Sequence, residues 1–165
     1  MGIQWSHFLS SVDWGAGGLK NFVNTYRDAV KQFVELSKIP PVILLVDNDA
    51  GANSLMSTIK QVTGKPALRD APFMHVVANL YVMATPRDPK GESKIEDFFL
   101  LTDKARILDG KSFDDSNEYE TPTHYGKMDF ATRVVRPNAD VIDFSGFEPL
   151  LNNIVGVIAH RAALE

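Results

Sequence analysis

Pro41-Val42-Ile43-Leu44-Leu45-Val46-Asp47-Asn48-Asp49-Ala50-Gly51-Ala52 decides the fold: a short, wholly apolar segment ends abruptly in two carboxylates spaced by one residue. Open α/β sheets present acids in this way at the carboxyl edge of a buried parallel strand, where their ligands bind. Side chains of an extended segment alternate with a period of two, so Asp47 and Asp49 point the same way and can share one Mg²⁺. The setting adds weight to a metal or phosphate role, with Gly51 at the turn and a helix-like run over about residues 53–62 after it. The plainer alternative is that Asp47 and Asp49 cap the following helix.

Upstream, apolar residues at Leu19, Phe22, Val23, Tyr26, Val30, Phe33, Val34 and Leu36 predict an amphipathic helix over 19–38. It ends at Ile39-Pro40-Pro41, because a residue before proline is pushed out of the helical region. Downstream, Thr63-Gly64-Lys65-Pro66 stops the second helix. Residues 73–84 form a second β-rich run, read as one long strand or a pair of short ones. A polar loop over 87–94 leads to one or two helical turns at Ile95-Glu96-Asp97-Phe98-Phe99, with Ser93 as their cap. Residues 109–113 read as a turn and 114–120 as an acidic solvated loop. A further helix is expected from His124 through Val135, a break at Pro137, and a final helix from about Phe147 or Leu150 to Ala163. This order predicts an α/β fold with a short, mostly parallel sheet flanked by helices and a helical C-terminal part. Right-handed crossovers then bring Asp47, Asp49 and the loop holding Glu96 to one sheet edge.

At 165 residues and 44% hydrophobic content, the chain fits one domain over 1–165, with a core at about 15–100 and a helical extension at about 101–165. The absence of cysteine excludes a disulfide scaffold, a thiolate zinc site and a cysteine nucleophile. A formal charge of −4 offers no global attraction for nucleic acid, so such binding needs a local basic face. No apolar stretch approaches the roughly 20 residues of a membrane span, and no basic-then-apolar leader is present, which predicts a cytoplasmic chain with no membrane partner. Residues 3–18 begin without an obvious first strand, as in a fragment of a longer chain.

Mg²⁺ takes oxygen ligands in an octahedron, usually one or two carboxylates with waters and phosphate oxygens. Asp47 and Asp49 supply two, and Glu96 or Asp97 a third. Glu96 is the sharper choice, because Ile95, Phe98 and Phe99 fix an inward face beside it, leaving Asp97 supporting or solvated. Lys111 and Lys127 each follow a glycine; a lysine beside a metal can bind the scissile phosphate, and either can equally be an ordinary surface lysine. The four histidines show no ligand spacing. His75 reads as a hydrogen-bonded core residue, and His124 as a faint site candidate near Lys127. Gly15, Gly17 and Gly18 can form a phosphate-binding turn before the first helix, without Rossmann or Walker spacing.

Together these residues resemble the TOPRIM domain, the small Rossmann-like α/β metal domain of topoisomerases, primases and OLD-type nucleases. Asp47-Asn48-Asp49 after an apolar strand matches its second motif. Ser93-Lys94-Ile95-Glu96 resembles the Ser-x-x-Glu element of OLD-type nucleases, with Lys127 in the place of their late lysine. A closer resemblance is to the C-terminal TOPRIM endonuclease region of some bacterial retron reverse transcriptases. It is carried by Gly17-Gly18-Leu19 with Phe22 and Tyr26, by 46–52, by Asn79-Leu80-Tyr81, by 95–99 and by Gly110-Lys111-Ser112-Phe113. Tyr125-Gly126-Lys127 with Phe130-Ala131, and 142–147, complete it, so that it spans about 17–158.

The resemblance implies a Mg²⁺-dependent nuclease, with Mn²⁺ as a substitute, hydrolysing phosphodiesters of DNA or RNA. Asp47, Asp49 and Glu96 would hold metal, and Lys111 and Lys127 would contact substrate phosphate. It further implies an antiviral effector working beside an upstream reverse transcriptase domain and its RNA/DNA hybrid. One departure is plain. A TOPRIM domain ends its first strand in a glutamate, and here the only acid before Gly15 is Asp13, in Val12-Asp13-Trp14. Truncation or lost activity explains this better than substitution by Asp13. A non-catalytic TOPRIM-derived binding module is therefore the alternative. A phospho-receiver domain is a lesser one, since Val82-Met83-Ala84-Thr85-Pro86 lacks the acceptor aspartate such a domain needs.

Overall fold

The computed structural model describes residues 16–32, 39–67, 69–87, 91–116, 118 and 120–164. The fold is α/β. Among the described residues five short strands, β1 (Val42–Val46), β2 (Met74–Val77), β3 (Leu80–Ala84), β4 (Ser112–Phe113) and β5 (His124–Tyr125), form two sheets. The larger has the order β1-β3-β2. β1 and β3 are parallel, with Val42 opposite Leu80 and Val46 opposite Ala84, while β2 runs antiparallel to β3. The sheet is therefore mixed rather than mostly parallel, because the 73–84 run folds back on itself at Ala78-Asn79, where Ala78 adopts a φ of 54°. Asn79 is wholly buried and fixes this turn: its amide donates to the Pro40 carbonyl (2.6 Å) and accepts from the Tyr26 hydroxyl (2.7 Å).

The described residues also form the helices α1 (Ala16–Ala29), α2 (Asn53–Thr63), α3 (Leu101–Lys104), α4 (Lys127–Asp129) and α5 (Glu148–Ala162). α1 continues as a 3-10 turn to Gln32, and residues 33–38 of the expected helix lie outside the described residues. Gly17 and Gly18 lie within α1 rather than in a turn before it; Gly15 and Asp13 fall outside the described residues. α2 ends where Gly64 takes the left-handed conformation (φ 68°) and its N–H bonds the Lys60 carbonyl. The expected helix from His124 starts only at Lys127. His124 and Tyr125 pair instead with Ser112 and Phe113, a contact across eleven residues that no local pattern announces. From Lys127 the helical run passes through a wide π-type turn (Phe130–Val135) into a 3-10 turn (Arg136–Asn138) that carries Pro137, so the chain does not break there.

Alternation along the strands sends two sets of side chains to opposite faces of the sheet. Val42, Leu44, Val46, Leu80, Val82 and Ala84 meet α1 and α2 in an aliphatic core. Ile43, Tyr81 and Met83 meet Leu150, Ile154 and Val157 of α5. A third cluster around Tyr125, Phe130 and Val134 joins the second through Phe99, whose ring lies edge-on to both Phe130 and Phe147. Gly146, just before α5, is in backbone contact with the 95–98 turn: a Cβ there would collide with the Phe98 carbonyl oxygen.

Candidate functional site

β1 and β3 end level with each other, and the Thr85 N–H donates to the Val46 carbonyl (2.9 Å) just beyond the last pair. There the chain after β1 is stitched to the loop before Glu96. Asn48 and Ser93 form an antiparallel bridge, with Asn48 N donating to Ser93 O (2.8 Å) and Ser93 N to Asn48 O (3.3 Å). Asn48, Thr85 and Ser93 are buried and joined by hydrogen bonds through side chain and backbone. Thr85 Oγ1 accepts from Asn48 N (3.0 Å) and contacts Ser93 Oγ (2.7 Å), while the Asn48 amide donates to the carbonyls of Thr85 (3.1 Å) and Arg69 (3.3 Å). These bonds fix the two segments against each other, and the one side-chain atom of the three residues left without a partner is Asn48 Oδ1. Ser93 thus locks the edge together, and the residue capping the 3-10 turn Ile95–Phe98 is Lys94.

With Asn48 turned inward, Asp47 and Asp49 flank it as half-buried residues. Asp47 Oδ1 accepts the Ile95 N–H (3.0 Å), one of the amides the short turn leaves unpaired. Asp49 Oδ1 accepts the Gly51 N–H (2.8 Å) and caps the turn leading into α2. Each acid therefore holds a backbone amide with one oxygen, leaving Oδ2 outside these bonds. Glu96, one residue beyond the amide that Asp47 holds, is only 6% exposed, and its Oε2 accepts no hydrogen bond. Lys127 Nζ stands 3.4 Å from that oxygen. The lysine arrives there because Gly126 is extended before α4 and Tyr125 and Phe130 anchor both sides of it in the third cluster.

Asp97 is exposed and structural: Oδ2 accepts the Lys94 N–H (2.8 Å), closing the turn. Lys111 is not drawn to the acids; its ammonium donates to the Thr121 carbonyl (2.6 Å). His124 Nδ1 bonds Thr123 Oγ1 (2.9 Å). His75 is exposed rather than in the core, because the hairpin leaves β2 at the sheet edge; its Nε2 bonds the Ala78 carbonyl (2.8 Å) and its ring packs on Tyr81.

No family model and no solved structure matches this chain.

Two basic residues that motif reading passes over, Lys94 and Lys104, also lie here. Lys94 Nζ pairs with Asp115 (3.2 Å), and Lys104 Nζ approaches Asp97 (3.9 Å). Burial works against the Lys94 charge, but the carboxylates of Asp115, Asp97 and Glu96 together outweigh it and lift the ammonium above its usual pKa. Lys104, Phe113, Asp114 and Asp115 line a shallow cleft of about 300 Å³ next to this pair. The sequence signal for Lys94 is its position between Ser93 and Glu96, on the strip paired to the acidic turn.

Among the described residues, no group of three or more His, Asp or Glu side chains converges on one point. The donors present suit a hard ion completed by water and phosphate, which needs only one or two carboxylates. The buried Glu96 Oε2 accepts no hydrogen bond and has the Lys127 ammonium as its ion-pair partner at 3.4 Å, an acid and a base side by side that fit a site for a cation and a phosphate.

Proposed function

We propose that this chain is a divalent-metal-dependent nuclease built on a Rossmann-like TOPRIM fold. The observation that carries the reading is the buried Glu96 Oε2, unbonded and 3.4 Å from Lys127, on a turn tied to Asp47. In this reading Asp47 and Asp49 would hold Mg²⁺ or Mn²⁺ through the oxygens their backbone bonds leave free, and Glu96 would join them as a third ligand once the ion draws it in. The ion, when bound, lowers the pKa of its water and neutralises charge on the phosphate. Lys127 then exchanges part of its pairing with Glu96 for a non-bridging phosphate oxygen, and Lys111 contacts a neighbouring phosphate at the rim. The Asn48–Thr85–Ser93 network keeps the two acidic segments in fixed relation. The resemblance to retron reverse transcriptases extends the proposal to DNA or RNA as substrate, an upstream polymerase domain as partner, and an antiviral role.

The test is metal-dependent cleavage of single-stranded DNA, double-stranded DNA and RNA, beside Asp47→Ala/Asp49→Ala and Lys127→Ala. Cleavage that needs Mg²⁺ or Mn²⁺ and disappears in the variants is expected. A second reading, a non-catalytic TOPRIM-derived binding module, is favoured by one observation: both aspartates spend an oxygen on a backbone amide. That module would bind oligonucleotide without cutting it under any metal.

A further inference from the structure

β1 is an edge strand, and nothing among the described residues pairs with its outer side. Val42 N bonds Asn79 O and Val46 O bonds Thr85 N, so residues 42, 44 and 46 turn their backbone groups toward β3. In a parallel pair, N–H and C=O of one residue point the same way, so those of Ile43 and Leu45 face outward. Natural edge strands are usually blunted by charge, proline or a bulge. Val42–Val46 has none of these.

The face above that edge is also open. α5 runs along the strands, from Phe147 beside Phe98 at the carboxyl edge to Arg161, which donates to Ile39 O before β1. Leu150, Ile154 and Val157 point down onto the sheet, while Gly156 and His160 turn toward Phe73 on the β2 side. At 100° per residue, Leu151, Val155 and Ile158 then lie on the opposite flank, over β1. They are 53%, 62% and 47% exposed, and Leu45, on the same face of the sheet, is 41% exposed. The spacing 151, 155, 158 alternates four and three, the repeat of a helix seam. No charged residue occurs from 149 to 159 of α5 or within β1.

We infer that this corner is the interface of a two-fold homodimer, in which β1 pairs antiparallel with the partner's β1 and the α5 flanks meet above it. With Leu44 on the dyad, Ile43 of each copy stands opposite Leu45 of the other. Such a hydrogen-bonded pair exchanges both N–H···O=C bonds, so every outward backbone group of residues 43 and 45 is satisfied. Three strand spacings put the two β3 strands about 14 Å apart. α5 packs on Ile43 of β1 as well as on Tyr81 and Met83 of β3, so its axis lies inside that span, where two helices each roughly 10–12 Å across meet above a floor of Ile43 and Leu45. The charges agree: Asp47 falls opposite the partner's Pro41 and Asp49 opposite the partner's Ile39, so no acids face each other. An isologous contact of this kind closes on itself and leaves no free edge on β1.

Sedimentation equilibrium of the full chain tests this. A monomer–dimer equilibrium is expected, with Leu45→Lys and Val155→Glu each weakening it by roughly tenfold or more, and Leu101→Glu, an exposed leucine elsewhere, leaving it unchanged. Both sites are exposed, and circular dichroism confirms folding of each variant. The chain has no cysteine, so Leu44→Cys supplies a register test: facing residues on the dyad are close enough for a disulfide, and oxidation should give a covalent dimer. A wild-type chain monomeric at the highest soluble concentration overturns the inference. So does a dimer indifferent to both charged variants, as an edge filled by another segment would leave it.

Discussion

The two faces of the three-stranded sheet are built differently. On one, aliphatic residues of β1 and β3 are closed over by α1 and α2, with Leu55, Ile59, Leu80 and Val82 almost wholly buried. On the other, a single helix covers Tyr81 and Met83, an aromatic group of Phe73, Tyr81 and His160 takes the place of aliphatic packing, and Leu45 stays open to solvent. The difference separates stability from recognition: the sealed face supplies most of the apolar burial, and the half-covered face has surface left to offer a partner.

The largest effect that separates the faces is a cavity. Leu55→Ala should cost about 3 kcal/mol in urea unfolding, whereas Leu45→Ala, at concentrations where the chain is monomeric, should cost less than about 0.5 kcal/mol. Equal losses would show that the α5 face is as tightly closed as the other. Next comes the network joining the sheet edge to the acidic turn. Thr85→Val keeps the shape but removes the hydroxyl that bonds Asn48 N, Ser93 O and Ser93 Oγ, leaving Asn48 N only its bond to Ser93 O and Ser93 Oγ only its bond to Thr85 O. A loss of roughly 2 kcal/mol is expected, with faster amide exchange at Asn48.

A smaller effect lies on the aromatic face. Tyr81→Phe removes the bond to His160 Nδ1 (3.0 Å) and should cost about 1 kcal/mol at neutral pH. Burial raises the Tyr81 hydroxyl above the ordinary value of 10.0, the Arg161 charge offsetting part of this. A raised folded-state pKa gives stability that is fully present below the unfolded value and is lost as pH climbs through the folded one. Tyr26 and Tyr125 are raised by burial in the same way, so stability should fall above pH 10, less steeply in Tyr81→Phe. Of similar size, Gly64→Ala at φ 68° should cost about 1 kcal/mol without touching either face, a control read by thermal unfolding.

Much of the sealed face is legible in the sequence. The run from Pro41 to Ala52 gives a strand, a capped turn and a helix within a residue or two of where they lie, because hydrophobic pattern and capping there are local. The expected full burial of the strand is not met: β1 lies at the sheet edge and only its Val46 is buried. The meeting of the acidic turn with the Glu96 loop also follows from two level parallel strands. What is not legible depends on distant pairing. Ser93 looks like a cap until its bridge to Asn48 is known, His124 looks helical until Ser112 pairs with it, and His75 looks buried until the hairpin puts β2 at the edge. Lys127 carries no local sign that sets it apart from Lys111. Only the packing of Tyr125 and Phe130 against Phe99 and Phe113 turns it toward Glu96.

Gly146 makes the bearing surface between two working parts. Because its backbone rests on the Phe98 carbonyl with no room for a side chain between, the turn carrying Glu96 and the root of α5 touch directly. A ligand that tugs on Glu96 therefore pushes on the helix above the open flank of the sheet, and the Gly146 amide resonance becomes a strain gauge reading both ends at once.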